Sequence, residues 1–335
     1  MPLTSIRQDQ DDNSLHALWF PHPWLWAGIA LQWLTIAFLS WHEKFTIHPM
    51  QGWPTQALFI AVMLAAAVLA RHRWPDVTRA LFGISGFYIF GLGTVAQSYL
   101  VTSSGAQFAL ADPYLAQADK ALGFDWVAHV AWVNGHPMVR GLLDWGYGQI
   151  AYSFIFAAAT LMAARKFRRL AEVFIILFIG NQIMISMVWL WPAIGPYTHL
   201  APDPASISHM PSWAGRYSLA HFTALRAHLM TSVTLGKTTG LITFPSFHAT
   251  AAIITTWAVW RRGMFWPLLV MNSVMLVSTI SMGGHYLIDL IASFVIFVSL
   301  AVLVRRLDLS AANRAKVRDR MSAPVQPALR PSRPD

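Results

Sequence analysis

The sequence predicts an all-α, polytopic transmembrane helix bundle with about eight spans. The 335 residues are 56% hydrophobic and only 12% charged, which is far more apolar than an ordinary soluble domain. Several apolar runs reach the length of about 20 residues that a helix needs to cross a bilayer. The 16 Trp residues fit the aromatic belts that anchor helices at membrane interfaces.

The apolar segments follow one another along the chain, separated by two long polar connections at residues 102–140 and 197–243. The first connection contains two short amphipathic stretches, 112–122 and 125–133, that we expect to be interfacial helices. The second contains a stretch, 218–230, that we also expect to be helical. We predict spans at residues 24–41, 55–70, 80–101, 142–164, 171–191, 245–262, 265–280 and 284–306.

This pattern predicts three parts: a cytoplasmic arm at 1–23, a transmembrane catalytic domain at 24–306 and a disordered basic tail at 307–335. With the amino terminus in the cytoplasm, eight spans place 18 of the 24 Lys and Arg residues inside and 6 outside. Such a bias is typical of the cytoplasmic side of membrane proteins. Both termini are therefore expected in the cytoplasm.

The same distribution excludes several classes of function. A net charge of +9 suggests nucleic acid, but the charges form short clusters between apolar runs, so we expect no nucleic-acid partner. There are no Cys residues, which excludes disulfides, thiolate nucleophiles and Cys-ligated metals. The first apolar run is followed by more spans, so we expect no cleavable signal. Short loops favour a bacterial inner membrane.

Two motifs place a histidine at the start of a long apolar run. In the stretch from Ser281 to Asp289, His285 and Asp289 are four residues apart and would share one face of a helix. A carboxylate there can accept the imidazole N–H and make the other ring nitrogen a better nucleophile. In Phe244–Thr250, Pro245 and Ser246 read as a helix start, and a helix N-terminus binds anions.

The predicted topology brings the two motifs together. Both lie at the beginning of spans that run from outside to inside, so both belong at the outer membrane face. A histidine at membrane depth is costly unless it serves a polar cavity. We therefore expect His248, His285 and Asp289 to meet in one cavity and to transfer a phosphoryl group through a histidine.

The motifs resemble those of the type-2 phosphatidic acid phosphatase superfamily. Pro245-Ser-Phe-His248 is similar to its second signature, Pro-Ser-x-His, and Gly284-His-Tyr-x-x-Asp289 is similar to its third, which ends in His-x-x-x-Asp. We call these two stretches the second and third motifs. The form Gly-Gly-His-Tyr-x-x-Asp and the span count resemble the inositolphosphotransferase branch, which includes aureobasidin-sensitive inositol phosphorylceramide synthases. Asp119-x-x-Leu-Gly-Phe-Asp-Trp126 and Trp191–Pro196 also resemble that branch.

The resemblance implies a six-helix core and a phosphohistidine mechanism on a phospholipid or sphingolipid, among membrane lipids, without a metal or other cofactor. His285 would attack the phosphorus, Asp289 would orient His285, and His248 would protonate the departing oxygen and then deprotonate the acceptor. Ser246, Gly284 and nearby N–H groups would hold the phosphoryl oxygens. The acceptor would be water in a phosphatase and an alcohol in a transferase.

The chain departs from the superfamily pattern in its cations. The arginine expected six residues before the last histidine is replaced by Thr279, and the first signature, with Lys and Arg-Pro, is absent. Phosphoryl transfer still needs positive charge near the oxygens. Among the outer residues Arg140, Arg216, Arg226 and Lys237, we favour Arg216 and Arg226 as phosphate-binding residues.

Two other functions fit parts of the sequence. A lipid transporter or scramblase on the same scaffold would not need His248, His285 or Asp289. A membrane metalloenzyme would use the histidines of the second outer connection, although their spacing matches no compact metal motif, so we expect no metal site. These histidines are His199, His209, His221 and His228.

Overall fold

The computed structural model describes residues 20–322, with side chains up to residue 307. The described chain is almost entirely helical, with two three-residue strands. The elements in order are α1 (Pro23–His42), β1 (Thr46–His48), α2 (Trp53–Ala70), α3 (Pro75–Ser104), α4 (Asp112–Ala121), α5 (Trp126–Gly135), α6 (Pro137–Tyr147), α7 (Ile150–Ala163), α8 (Phe167–Leu190), α9 (Pro196–His199), a 3₁₀ turn (Pro204–Ile207), α10 (Leu219–Arg226), β2 (Ser232–Thr234), α11 (Phe247–Ala258), α12 (Phe265–Ser281) and α13 (Leu287–Ser322).

The helices confirm the predicted all-α polytopic bundle. Five are long and apolar enough to cross a membrane: α1, α2, α3, α8 and the Leu287–Leu307 part of α13. The other three predicted spans are also helical but shorter, with 14 residues in α7, 12 in α11 and 17 in α12. The two interfacial stretches form α4 and α5, as expected.

The prediction of one continuous helix at 142–164 is wrong. The chain forms α6 and α7 there, with a break between Tyr147 and Ile150. Glycine weakens a helix, and Gly148 stands at the break, where its N–H bonds the carbonyl of Trp145 at 3.2 Å. Gly146 packs so closely on α12 that an added Cβ would lie 2.6 Å from Cγ1 of Val274. The break therefore turns α6 across α12.

Two other boundaries differ from the prediction. The second outer connection contains α10, which covers only Leu219–Arg226 of the expected 218–230. The last helix continues to Ser322 instead of ending near residue 306, because the added segment is rich in Ala, Arg and Lys, which favour helix. Residues 1–19 and 323–335 lie outside the described part, so most of the predicted arm and the end of the tail do too.

The segments expected at the outer face contact one another. Strand β1, which follows the first span, pairs in parallel with β2 of the second outer connection, with Ile47 opposite Val233. At the end of α3, Tyr99 bonds His221 of α10 at 2.5 Å between Oη and Nδ1. These contacts place the two segments at the same end of the bundle.

The main hydrophobic core lies in the middle of the bundle, between α3, α7, α8, α11, α12 and α13. Leu161, Ile254 and Leu268 are at most 1% exposed there. One buried polar network crosses this core: Asn272 accepts from Ser153 at 2.9 Å and donates to Thr255 at 2.9 Å. Hydrogen bonds between helices are the expected way to satisfy polar groups inside a membrane bundle.

Candidate active site

The third motif holds His285 against Asp289. Oδ2 of Asp289 lies 3.1 Å from Nδ1 of His285 and accepts the backbone N–H of Tyr286 at 3.0 Å. Both side chains are buried, with His285 2% and Asp289 0% exposed. The sequence predicts that His285 and Asp289 share one face of a helix, but α13 begins only at Leu287. His285 lies in the turn before the helix, and this turn still brings it to Asp289.

The backbone of His285 is fixed on both sides. Its N–H donates to the carbonyl of Thr279 at 3.1 Å. Its carbonyl accepts the indole N–H of Trp126, in α5, at 3.1 Å. A catalytic side chain is held most accurately when its neighbours lock its backbone and rotamer, and here the end of α12 and the start of α5 provide that support.

Asp119 of α4 caps the helix that follows the histidine. Its two carboxylate oxygens accept the N–H groups of Leu287 and Ile288, each at 2.8 Å. These are the first N–H groups of α13, which have no partner inside the helix. Burial raises the pKa of Asp119, although the two N–H groups act in the opposite direction. The carboxylate therefore positions the residues directly after His285.

Asp112, at the start of α4, ties the loop before α9 to the same motif. Its oxygens accept the N–H groups of Ile194 and Gly195, each at 2.8 Å. The hydroxyl of Tyr286 donates to it at 3.1 Å. The side chains of Asp112 and Tyr286 are 0% exposed, so this buried carboxylate connects the Trp191–Pro196 segment to the residue after His285.

The second motif forms the start of α11. The hydroxyl oxygen of Ser246 accepts the N–H of Ala249 at 3.3 Å, which makes Ser246 the N-cap that the sequence predicts. The carbonyl of Ser246 accepts the hydroxyl of Ser293, on α13, at 3.0 Å. His248 stands in the first turn of the helix. These contacts join the second and third motifs at the same end of the bundle.

Tyr147, the last residue of α6, brings the two histidines together. Its ring stacks on His248 with centroids 4.2 Å apart and planes 14° apart. A Cβ on Gly283 would lie 2.9 Å from Cε2 of Tyr147 and 2.9 Å from Cδ2 of His285, so both rings flank one backbone position. His285 is also close enough to His248 for the two rings to interact electrostatically.

Gly284 allows a close backbone approach beside His285. It has φ of +69°, and an added Cβ would lie 2.6 Å from Cα of Gly215. Gly215 has φ of +60° and donates its N–H to the carbonyl of Met282 at 2.8 Å. This contact places Arg216 next to the third motif. The guanidinium of Arg216 lies 5.4 Å from the ring centre of Tyr197, and the residue is exposed.

Arg226, the other arginine predicted to bind phosphate, contacts backbone carbonyls. Its guanidinium donates to three carbonyls at the end of α3, those of Gly105, Ala106 and Phe108, at 2.7–3.1 Å. Burial lowers its pKa from the usual value. Carbonyls at a helix C-terminus carry partial negative charge, so Arg226 caps α3. Of the two favoured arginines, only Arg216 adjoins Gly284.

The outer histidines do not assemble into a metal centre in the part of the chain that the structure describes, where no group of three His, Cys, Asp or Glu residues could hold an ion. His221 instead bonds the hydroxyl of Tyr99.

A cavity of about 830 Å³ opens beside the third motif. Asp119, Trp126 and Tyr286 are among the residues that line it.

Sequence reasoning did not assign roles to several residues that build this site. Asp112, Trp126, Tyr147 and Tyr197 were not predicted as site residues. The hydroxyl of Tyr197 donates to the carbonyl of Ser281 at 2.9 Å, and its ring meets Trp126 edge to face at 4.7 Å. In the sequence, each of these is a carboxylate or an aromatic residue near a connection between apolar segments. That pattern alone does not distinguish a residue that positions a site from one that lies on the surface.

The comparison with known protein families agrees with this geometry. The family model of the PAP2 superfamily matches residues 113–303, a range that includes both histidine motifs and Asp119. No curated protein and no solved structure matches the chain significantly. The superfamily comprises phosphatases and phosphotransferases, which indicates an enzyme of the lipid phosphatase and phosphotransferase type. With more than half of its length matched, the chain belongs to the PAP2 superfamily.

Proposed function

We propose that the protein is a lipid phosphotransferase or phosphatase of the inositolphosphotransferase-like form, working through a phosphohistidine on His285. The observation that carries the proposal is the buried pair of His285 and Asp289, whose Nδ1 and Oδ2 are 3.1 Å apart, beside a second histidine. Such a pair is the activated nucleophile that covalent phosphoryl transfer needs. Residues 24–306 form the catalytic domain in this proposal.

His285 is the nucleophile. When Nδ1 donates its proton to Asp289, Nε2 keeps its lone pair and is free to attack phosphorus. The N–P bond forms as the P–O bond to the lipid leaving group breaks. Because the Asp289 carboxylate also accepts the N–H of Tyr286, it holds the imidazole orientation and stabilises the positive charge that develops on the ring.

His248 is the general acid and then the general base. It gives a proton to the departing lipid oxygen in the first step and takes one from the acceptor hydroxyl in the second. The stack on Tyr147 fixes the plane of its ring. Tyr147 is held in turn by Tyr217, with 3.0 Å between the two hydroxyl oxygens, so the acid has a rigid support.

The phosphoryl oxygens bind to the start of α11, to the backbone at Gly284 and to Arg216. A helix N-terminus presents N–H groups and a favourable dipole to an anion. Ser246 contributes by capping that helix, since its hydroxyl oxygen accepts the N–H of Ala249. Arg216 supplies the positive charge that is missing at position 279, where this chain has Thr279 in place of the superfamily's arginine. Arg226 is left out of this set because carbonyls of the α3 end bind its guanidinium.

The site faces the outside of a bacterial inner membrane in this proposal, with both termini in the cytoplasm. The excess of Lys and Arg at the other end of the bundle supports that orientation. The substrate is a membrane phospholipid or sphingolipid, which reaches the histidines from the outer leaflet.

Trapping the intermediate tests the proposal. Purified protein is mixed with ³²P-labelled phosphatidic acid, or with phosphatidylinositol labelled in its phosphate, and stopped in base. We expect base-stable, acid-labile label on the wild type, none on His285→Ala, and label that both forms and decays slowly on His248→Ala, which lacks the acid of the first step and the base of the second. Product analysis with water alone or with an added lipid alcohol as acceptor separates hydrolysis from transfer.

One further arm separates the enzyme from a lipid scramblase. Lipid movement is measured in proteoliposomes with His248→Ala and His285→Ala. If both variants move lipids as fast as the wild type and no label is trapped on any protein, the phosphohistidine proposal is rejected and transport on this scaffold is supported.

A further inference from the structure

A second cavity lies at the opposite end of the bundle from the histidines. It measures about 620 Å³ and opens between the start of α8, the end of α11 and the helix α13. Among the side chains that the structure describes, six basic ones and one carboxylate, that of Glu172, line it. The six are Arg165, Lys166, Arg168, Arg169, Arg262 and Arg305.

The positive charge of this cavity is only partly neutralised by the protein. Glu172 is shared by Arg169 at 2.9 Å and Arg168 at 3.8 Å. Among the described side chains, no carboxylate lies within 4.0 Å of Lys166, Arg262 or Arg305. Arg262 and Arg305 are also close enough to Arg169 to repel it. Like charges held together in this way favour an anion between them.

Two of the six cations are held by one indole ring. The guanidinium carbon of Arg169 lies 3.3 Å from the ring centre of Trp257, and that of Arg305 lies 5.1 Å from the same centre. Arg169 also donates to the carbonyl of Trp257 at 2.9 Å, and its side chain is only 17% exposed. Arginines fixed in this way lose little freedom when they bind a phosphate.

An apolar groove of about 400 Å³ shares one lining residue with the basic cavity. It is lined by Trp257, Phe265, Phe294 and Phe297, and Trp260 lines both spaces. A basic pocket that adjoins an apolar groove matches a molecule with an anionic head and a hydrocarbon chain. A soluble anion would make no use of the groove.

The depth of the cavity fits a lipid headgroup. From Leu287, beside the histidine site, to Arg305 the helix rises by about 27 Å, and the hydrocarbon core of a bilayer is about 30 Å thick. The cavity therefore lies at the headgroup level of the leaflet opposite the histidines. Trp260, 56% exposed, stands at its edge, as aromatic residues do at a membrane interface.

We propose that this basic cavity and its apolar groove bind one anionic phospholipid, with the phosphate between Arg169, Arg262 and Arg305 and an acyl chain along Phe294 and Phe297. The site is separate from the catalytic one and does not depend on the proposed function. Basic pockets between transmembrane helices are known to hold anionic headgroups in this way.

Native mass spectrometry of the full-length protein in detergent tests the proposal. Phosphatidylglycerol and phosphatidylcholine with the same acyl chains are titrated against the wild type and the Arg262→Gln/Arg305→Gln variant. We expect tight binding of one phosphatidylglycerol to the wild type. The double variant should bind it about thirtyfold more weakly, since each basic residue near a membrane surface contributes roughly a fivefold factor. Phosphatidylcholine should bind weakly to both.

Arg71→Gln/Arg73→Gln is the matched control, because it removes the same charge from the next connection on the same side, outside the cavity. Equal losses in the two double variants would show general charge attraction and overturn the proposal, as would unchanged binding in Arg262→Gln/Arg305→Gln. Displacement of phosphatidylglycerol by millimolar glycerol phosphate would show that the cavity binds the phosphate without the acyl chain. That result would also reject a lipid site. Lys166→Gln repeats the test, with about a fivefold loss expected, if the double variant does not fold.

Discussion

The two ends of the bundle use charge in opposite ways. At the histidine end, three buried carboxylates, Asp112, Asp119 and Asp289, accept N–H groups of the chain. At the other end, six cations surround one carboxylate, and several of them have no anionic partner among the described residues. Negative charge at the first end holds the backbone in place. We propose that the positive charge at the second end binds an anionic phospholipid.

The difference explains how a catalytic site can work with few cations. Buried carboxylates beside a phosphate would repel it if their charge faced the cavity. Asp119 instead directs both oxygens to N–H groups of α13, and Asp112 directs its oxygens to the loop before α9. Their charge is thereby partly compensated. In the proposed mechanism, the helix start at α11 and Arg216 then hold the substrate.

The strongest test of the comparison removes the nucleophile. His285→Ala should lower lipid phosphate turnover by about 10³-fold or more, because it removes the nucleophile of the proposed mechanism. The exposed His199 of the second outer connection provides the control, and His199→Ala should keep wild-type turnover. Loss of activity in both variants, or in neither, would contradict the assignment.

The next largest effect is expected at the glycine contact. Gly284→Ala should lower the free energy of unfolding by about 2–4 kcal/mol, because the new Cβ meets Gly215 and the backbone is strained. Gly123→Ala is the matched control: Gly123 has φ of +75° but nothing within 4 Å of an added Cβ. Thermal unfolding in detergent measures both. A similar loss in the two variants would attribute the effect to strain alone.

A comparison within one loop separates binding charge from structural charge. Arg216→Gln should lower kcat/KM by about tenfold with little change in Tm, since the residue is exposed and adjoins the site. Arg226→Gln should do the reverse and lower Tm, because three carbonyls of the α3 end lose their donor. Steady-state kinetics with thermal unfolding of both variants decides the matter. If Arg226→Gln alone impairs kcat/KM, the assignment of the phosphate ligand is reversed.

The smallest effect concerns the cap of α13. Asp119→Asn should cost about 1 kcal/mol of stability, because an amide keeps one acceptor oxygen and turns its NH₂ group toward the second N–H. Asp125, which caps α5 at an exposed position through Ala128 at 2.9 Å, is the control. Asp125→Asn should cost a few tenths of a kcal/mol. Chemical unfolding measures both, and a larger loss at Asp125 would contradict the positioning role of Asp119.

The fold followed from the sequence where periodicity and length decide the structure. Apolar runs predicted the helices, and Pro245-Ser246 predicted the start of α11 within one residue. The break at Gly148 was missed, because an apolar pattern on both sides of a glycine does not reveal a turn. That turn depends on the close packing of Gly146 against Val274, a contact between distant segments.

The site was predictable only in part for a similar reason. The spacing of His285 and Asp289 was sufficient to predict their contact, since four residues bring two side chains together. The role of Arg226 could not be predicted, because its partners, Gly105–Phe108, are more than 100 residues away in the chain. Tyr147 was missed because stacking on His248 depends on how α6 crosses the bundle.

The parallel pairing of β1 with β2 has a consequence for where the working unit begins. The family-matched region starts at residue 113, yet Val233 within it has its strand partner at Ile47. Phe45, Tyr99, Phe222 and Val233 belong to one apolar cluster. A shortened chain that starts at the matched boundary would leave β2 without its partner strand and would expose part of this apolar cluster to solvent. The segments that precede residue 113 are therefore part of the folded unit, because they supply a strand partner and apolar packing to the family-matched region.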